Sequence, residues 1–299
     1  MNRRAELTCL RLNWRFIRRH RRYFTIFVIV YGYSILGWRR TRGVRFCYAL
    51  AQHIDDLLDG DCPCEREPLE VVDEVIRQFE QEEFDDSELG NLARSVAQEL
   101  KRLRTSTDDP LTELITLFRV MRFDRQRVRD GLVLAQDRLA RQHWETFYHS
   151  VNLLLVVARA DLRADDAVDL IKAFGWCSTM RDLREDIDRG LINLPRDVVE
   201  HARAQGSPDL TYDSLTAMPA VKEWIRAEHA AGRVYLDQFA RRLAALRGRK
   251  GARILMIFLE SMDKFHRRFI KLHPEFFAAG CVPAISGIHS SAESLGHES

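Results

Sequence analysis

Apolar residues recur at helical spacing along most of this chain, and the alternation that indicates strands is nearly absent. The clearest helix begins at Asp109-Pro110, because an Asp cap followed by Pro at the first helical position favours a helix start. The apolar positions that follow it at helical spacing are Leu111, Leu114, Ile115, Phe118 and Met121. Further helices are predicted over residues 133–158, 165–188, 219–246 and 253–270.

The longest breaks between predicted elements, at residues 60–68 and 206–212, are too short and too ordinary in composition to be domain linkers. The pattern therefore predicts an all-α fold with a single helical domain over residues 23–283. A basic segment over residues 1–22 precedes this domain. A tail over residues 284–299, rich in Ser, Gly and His, is predicted to be disordered.

The apolar run over residues 23–36 is too short for a comfortable bilayer span, which needs about 20 residues. No small-residue cleavage site follows it, so a secretory signal is not indicated. The run is therefore predicted to be a buried helix or one that lines a substrate cavity.

Positive charge is concentrated at the N-terminus. The net charge of +2 does not indicate a nucleic-acid partner. Eight arginines nevertheless lie within the first 22 residues, where Glu6 is the only acid. Such a run can bind anionic lipid headgroups or other polyanions, and peripheral membrane contact through this basic N-terminus is one interpretation. A solvated, partly frayed helix is the alternative.

Six cysteines are scattered along the chain, and a large domain does not need disulfides to fold. They are expected to be reduced thiols of a cytoplasmic protein, one that could also associate with a membrane. A metal or redox site at Cys62 and Cys64 is the alternative, although no second pair follows at zinc-finger spacing.

Asp55 and Asp59 form the first of two acidic pairs that carry the candidate chemistry. They are four residues apart, so on a helix they share one face and repel each other. Gly60 ends the helix, which places both carboxylates where the helix dipole disfavours negative charge. Mg²⁺ would offset this cost, because it prefers carboxylate and phosphate oxygens. A solvated acidic helix end is the structural alternative.

Asp182 and Asp186 repeat the four-residue spacing in a second helix end, with Arg181, Arg184 and Arg189 between and after them. Helical ion pairs, which are individually weak, are one interpretation of this pattern. The functional interpretation is that the acids hold metal while arginines bind phosphate oxygens.

Two such helix ends side by side would form an acidic mouth over an apolar cavity. Metal ions at the mouth could bridge the carboxylates to a diphosphate and make it a better leaving group. The cavity would exclude water and protect a carbocation. Candidate aromatic lining residues are Phe24, Phe27, Tyr31, Trp144, Phe147, Tyr148 and Trp176, with core packing as the alternative for each.

Three stretches, residues 48–59, 121–124 and 181–195, resemble the squalene/phytoene synthase family of head-to-head prenyl synthases. The last is the most specific, because it reads Arg-Asp-x-x-Glu-Asp and continues through Arg-Gly to Leu-Pro. The resemblance extends over roughly residues 23–275 as an ordered series of helices.

The resemblance implies an isoprenoid-synthase helical bundle with a central apolar cavity. It implies Mg²⁺, with Mn²⁺ as an alternative ion, bound by Asp55, Asp59, Asp182 and Asp186. The implied substrates are prenyl diphosphates such as farnesyl or geranylgeranyl diphosphate. One molecule would ionise to an allylic cation, and the double bond of a second would attack it to form a cyclopropyl diphosphate. Rearrangement of that intermediate would yield a squalene- or phytoene-type product.

The chain departs from the family pattern at several expected contact positions. Gln52 stands where the family usually has Arg, and Ser178 stands where it has Asn, although serine still offers an oxygen. Ser150 aligns with a functional Tyr of the family, with Tyr148 two residues away, and Leu191 replaces an Arg. The expected substrate-binding residues are Tyr48, Gln52, Tyr148, Ser150, Ser178, Arg181, Arg184 and Arg189.

Two other functions compete with head-to-head coupling. A class I terpene synthase would ionise a single prenyl diphosphate in the same site and cyclise or hydroxylate it. A non-catalytic interaction protein would retain the fold alone, but the four aspartates argue against it. No Gly-rich loop of the Rossmann type is present, so the sequence makes no prediction about NADPH.

Overall fold

The computed structural model describes residues 3–20, 24–35, 37–207 and 209–277. These residues form helices and no strand, which confirms the predicted all-α class. The helices are α1 (Arg3–Arg19), α2 (Phe24–Ile35), α3 (Arg42–Leu58), α4 (Pro68–Gln81), α5 (Glu88–Lys101), α6 (Pro110–Asp130), α7 (Gln136–Val157), α8 (Val168–Asp188), α9 (Arg196–Ala204), α10 (Tyr212–Ala217), α11 (Pro219–Ala245) and α12 (Ala252–Leu272). Short 3₁₀ turns at Ala164–Ala167 and Pro274–Phe276 precede α8 and follow α12.

The start of α6 has the predicted cap. The Asp109 side chain accepts a hydrogen bond from the backbone N–H of Thr112, and Pro110 is the first helical residue. Gly131 then ends α6 with a φ of +62°, a conformation that costs little without a Cβ atom. For this reason the helix predicted over residues 133–158 begins later, at Gln136.

The central helix α7 lies between two groups of buried apolar side chains. Val151 and Leu155 pack with the group formed mainly by α8 to α12. Leu153 and Val157 pack instead with the group formed by α1 and α3 to α6. Because side chains two positions apart point to different sides of a helix, α7 needs packing partners on both sides.

Close helix contacts position α8, which carries the second acidic pair. A Cβ atom at Gly175 would lie only 3.1 Å from the Cβ of His143 on α7. A Cβ atom at Gly232 on α11 would lie 2.6 Å from the ring of Trp176. Glycine at these two positions lets α8 pack tightly between α7 and α11.

The basic N-terminal segment forms α1, which packs on α3 and α5 and buries Ala5, Cys9 and Phe16. One face of this helix is therefore built into the core. In the described part of the chain, no helix is both long enough and apolar enough to span a bilayer. Cys281, residues 278–283 of the predicted domain and the predicted tail over residues 284–299 lie outside the described residues.

Candidate active site

One cavity of about 320 Å³ brings the two acidic pairs together. The ends of α3 and α8 form its acidic side, while α1, α6 and α7 complete the wall. Asp55, Asp59, Asp182 and Asp186 all line it. The acidic mouth predicted from sequence is therefore present as a single space, with all four aspartates on its surface.

At the end of α3, Asp59 follows the last helical residue and its N–H bonds to the backbone carbonyl of Asp55. Burial, with a further contribution from the Asp59 carboxylate, raises the pKa of Asp55 well above its ordinary value. Partial removal from water raises the pKa of Asp59 to about 6, although the nearby Arg189 guanidinium opposes this shift. Both carboxylates are therefore less readily ionised here than they would be in water.

At the end of α8, the Arg181 guanidinium donates to Asp182 at 2.5 Å, and Asn193 Nδ2 donates to Asp186 Oδ2 at 3.0 Å. Burial and the neighbouring Asp182 carboxylate raise the pKa of Asp186 to about 7, and the Asn193 hydrogen bond only partly opposes them. Asp186 therefore changes protonation state near neutral pH.

Arg189 joins the two helix ends. Its guanidinium lies 3.3 Å from Asp59 and 2.8 Å from Asp61, both beyond the end of α3. It also lies 3.0 Å from Glu185, one turn earlier on α8. The arginine predicted as a phosphate ligand is thus held at the rim by carboxylates of both ends.

A buried arginine supports the α8 side of the cavity. Arg127, which is 1% exposed, donates to Asp124 at 2.8 Å, to Asn193 Oδ1 at 3.2 Å and to the Ile192 carbonyl at 2.9 Å. Asn193 therefore accepts from Arg127 while it donates to Asp186. Burial raises the pKa of Asp124, although Arg127 opposes the shift.

The N-terminal helix contributes a part of the site that sequence reasoning missed. Arg19 bonds to Asp56, which is only 3% exposed, and His20 Nε2 lies 3.0 Å from Asp56 Oδ1. His20 also lies 3.5 Å from Asp61 Oδ2. The one nitrogen and two carboxylate oxygens lie within 4.8 Å of one another, an arrangement compatible with a metal ion.

The inner wall is more polar than predicted. The α7 residues that line it, His143, Thr146, Phe147 and Ser150, recur at three- and four-residue steps and so share one helix face. Burial, with a smaller effect of Arg127, lowers the pKa of His143 to about 4, so its ring is neutral at pH 7. Ser178 and Thr179 of α8 complete this polar wall.

Four predicted substrate-binding residues do not line the cavity: Tyr48, Gln52, Tyr148 and Arg184. Tyr148 lies off the inward face of α7, and its hydroxyl donates to Asp165 at 3.1 Å. Arg184 stacks on Tyr212 and pairs with Asp213, because it points away from the α8 face that carries Asp182. The other four, Ser150, Ser178, Arg181 and Arg189, do line the cavity.

Of the seven aromatic candidates, only Phe147 lines the cavity. Trp176 is buried in the core against the His266 ring, and Trp144 packs against Tyr148. The periodicity placed these rings on helices but not on a particular helix face. Cys62 and Cys64 are free thiols outside the cavity lining, and burial raises the pKa of Cys62 to about 11.

No protein-family model and no curated protein matches the sequence. Among solved structures, the squalene synthase HpnC from Alicyclobacillus acidocaldarius matches with a TM-score of 0.62 at 18% identity. The match covers 92% of this chain and 94% of that chain. The chain has the fold of a squalene synthase. The isoprenoid-synthase fold expected from three short stretches of sequence is therefore confirmed over nearly the whole chain.

Proposed function

We propose that this protein is a divalent-metal-dependent prenyltransferase that ionises a prenyl diphosphate between the ends of α3 and α8. The observation that carries the proposal is the convergence of two aspartate pairs, from helices more than 100 residues apart in sequence, on one cavity. The squalene-synthase-like fold supports this reading. Farnesyl and geranylgeranyl diphosphate are the proposed substrates.

The residues at the mouth fit Mg²⁺. All four aspartates offer carboxylate oxygens, the donors that Mg²⁺ prefers, and Mn²⁺ accepts the same donors. The raised pKa values of Asp55 and Asp186 report repulsion and desolvation that a bound cation would relieve. When bound, the metal would neutralise the diphosphate and make it a better leaving group.

Arg181 and Arg189 are the proposed phosphate ligands of the chain. Both line the cavity, and both contact carboxylates at its mouth. Each can exchange a carboxylate partner for a phosphate oxygen of similar charge and geometry. Arg184 is not proposed as a ligand in this arrangement, because it lies on another face of α8 and pairs with Asp213.

Departure of diphosphate would leave an allylic cation inside the cavity. Phe147 presents an aromatic ring to this space, and the neutral His143 ring adds no positive charge that would repel the cation. In head-to-head coupling, the double bond of a second prenyl diphosphate attacks the cation, and loss of a proton then closes the ring of the cyclopropyl diphosphate intermediate. The proposed product is this intermediate, or a phytoene-type product formed from it by loss of diphosphate and a second proton. A squalene-type product would instead require hydride from a donor such as NADPH.

A specific observation favours a second candidate, ionisation of one substrate without coupling. The cavity volume of about 320 Å³ lies near the lower limit for a site that encloses one small ligand. Thr146, Ser150 and Thr179 add hydroxyl groups to the inner wall, where a water molecule could be held near the cation. A cyclised or hydroxylated C15 or C20 product would follow.

Product mass tests both candidates. The protein would be incubated with farnesyl or geranylgeranyl diphosphate and Mg²⁺, with and without NADPH, and Asp182→Asn would serve as the inactive control. A C30 or C40 product supports coupling, whereas a C15 or C20 hydrocarbon or alcohol supports the single-substrate reaction. Release of diphosphate that does not depend on metal, or no release from either substrate, would contradict the proposal.

A further inference from the structure

Helix α1 exposes a stripe of large apolar side chains. Leu7, Leu10 and Trp14 are 67%, 40% and 57% exposed. They recur at steps of three and four residues, so they lie along one face of α1, away from the buried Ala5 and Cys9. Within the described part of the chain, no other element covers this face and shields it from solvent.

Arginines surround the apolar stripe. Arg3 and Arg18 continue the same helical face at its two ends, and Arg15 lies beside it; all three are exposed. The only acid of α1, Glu6, lies 3.3 Å from the buried Arg45 and therefore faces the core. The outward charge on this helix is consequently positive.

Helix α2 extends the apolar surface. It contains no charged residue, and Phe24, Val28 and Ile35 on its outer side are 54%, 48% and 82% exposed. Its inner side is tied to α1, because the Tyr31 hydroxyl accepts a hydrogen bond from Asn13 at 2.7 Å. The two helices are therefore neighbours that both present apolar side chains to solvent.

This exposure is concentrated in one part of the molecule. Eleven large apolar side chains are exposed among the described residues, and seven of them lie on α1, on α2 or at Trp38 just beyond. The other four, Val234, Met256, Ile270 and Leu272, are on α11 and α12. A concentration of exposed apolar side chains flanked by arginines marks a binding surface.

We propose that the outer surface of α1 and α2 binds the interfacial region of an anionic lipid bilayer. Leu7, Leu10 and Trp14 would enter the boundary between headgroups and acyl chains, while Arg3 and Arg18 contact lipid phosphates. A helix with Trp and Leu on one side and arginines at the flanks has the chemistry of an in-plane membrane anchor. The inference is independent of the reaction that the cavity performs.

Charge favours a bilayer over a second copy of the chain. In a symmetric dimer through this surface, the arginines of one protomer would face those of the other without a compensating acid on α1. An anionic membrane supplies the opposite charge. Phe16 on the inner face of α1 and His20 directly after it line the cavity, so α1 would lie between the bilayer and the cavity.

Vesicle co-sedimentation of the full chain tests the proposal. Vesicles of phosphatidylcholine alone would be compared with vesicles that also contain phosphatidylglycerol. We expect binding to the anionic vesicles that weakens with added salt. The double variant Leu7→Glu/Trp14→Glu should bind at least about tenfold more weakly, because it puts charge on the apolar surface that the bilayer would bury. In Arg3→Gln/Arg18→Gln, the affinity for anionic vesicles should fall about fivefold for each arginine removed.

The double variant Val234→Glu/Met256→Glu is the control, since it places the same two charges at exposed apolar positions on other helices. Circular dichroism and thermal melting would verify that each variant is folded. The arginine variant tests the charge contribution separately, because it leaves the apolar stripe unchanged. Equal binding of the α1 variants and the control, or no binding to anionic vesicles, would overturn the proposal. So would a wild-type dimer that the α1 variants dissociate while vesicle binding is unchanged.

Discussion

The two acidic helix ends use the same aspartate spacing but obtain their counter-charges differently. At the α8 end, Arg181, Arg189 and Asn193 come from the same short stretch of sequence as Asp182 and Asp186. At the α3 end, the partners come from distant parts of the chain: Arg19 ends α1, and His20 and Arg189 directly follow α1 and α8. The direct partners of the α8 acids are local, although Asn193 is itself held by Arg127 of α6, whereas the partners at the α3 end depend on the tertiary fold. The sequence alone can therefore indicate the partners at the α8 end, but it cannot indicate those at the α3 end.

The largest expected effect tests whether both ends belong to one site. Asp55→Asn and Asp182→Asn should each lower turnover at least about a thousandfold, because each removes a metal-binding carboxylate that stabilises the departing diphosphate. Steady-state kinetics with Mg²⁺ would measure the loss. Asp188→Asn, an exposed residue at the end of α8 that does not line the cavity, is the control and should remain within about twofold of wild type. If only one of the two variants kept its activity, the two helix ends would not both be required for the reaction.

Arginine substitutions sharpen the comparison further. Arg189→Gln should lower kcat/KM by about 10- to 100-fold, because it removes a charged phosphate ligand that also bridges the two ends. Arg184→Gln on the same helix should change it by less than about twofold, since Arg184 contacts Tyr212 and Asp213 outside the cavity. An equal fall of kcat/KM in the two variants would contradict the assignment of Arg189, but not Arg184, to the cavity side of α8.

The pH dependence of metal binding should reflect the raised carboxyl pKa values. Asp186 has a pKa of about 7 and Asp59 of about 6, so both are largely deprotonated at pH 8 and substantially protonated at pH 6. Protons and Mg²⁺ compete for the same oxygens, so Mg²⁺ affinity should fall about tenfold between pH 8 and pH 6. Calorimetric titration at both pH values would measure it. An affinity that rises on acidification would refute the assignment of these carboxylates.

The smallest expected effects concern stability at each end. Arg19→Gln leaves the buried Asp56 carboxylate with one fewer donor and should lower the free energy of unfolding by about 1–3 kcal/mol. Asn193→Ala removes a donor from Asp186 and an acceptor from Arg127, and it should lower the free energy of unfolding by a similar amount. Urea unfolding of both variants compares the ends directly. No loss in Arg19→Gln would show that α1 does not support the α3 end.

Local sequence rules predicted the class of fold and singled out four aspartates that line the cavity. The Asp–Pro start of α6, the stop at Gly190 with a φ of +84° and the four-residue aspartate spacing each act within one or two helical turns. The close approach of Asp55 and Asp182 did not follow from these rules alone. It requires α3 and α8 to pack on either side of α7, an arrangement that the repeated aspartate spacing pointed to but did not specify.

The sequence could not indicate which face of a helix would line the cavity. Tyr148 and Ser150 are two positions apart on α7, so only one of them can share the inward face with Thr146 and Phe147. His20 was missed because its sequence surroundings carry no spacing rule, and Asp124, although it lies in the stretch 121–124 that carries the resemblance, was given no role; both line the cavity. α4 and α5 lie in a stretch for which the apolar pattern was not used, although Pro68 and the Ser87 cap mark their starts.

The most direct test of the central claim, that the two helix ends form one metal–diphosphate site, is calorimetric titration with inorganic diphosphate. It would be performed with and without Mg²⁺ on the wild-type chain, Asp55→Asn and Asp182→Asn. We expect Mg²⁺-dependent binding by wild type that either substitution abolishes. Binding that needs no metal, or that survives in both variants, would contradict the claim.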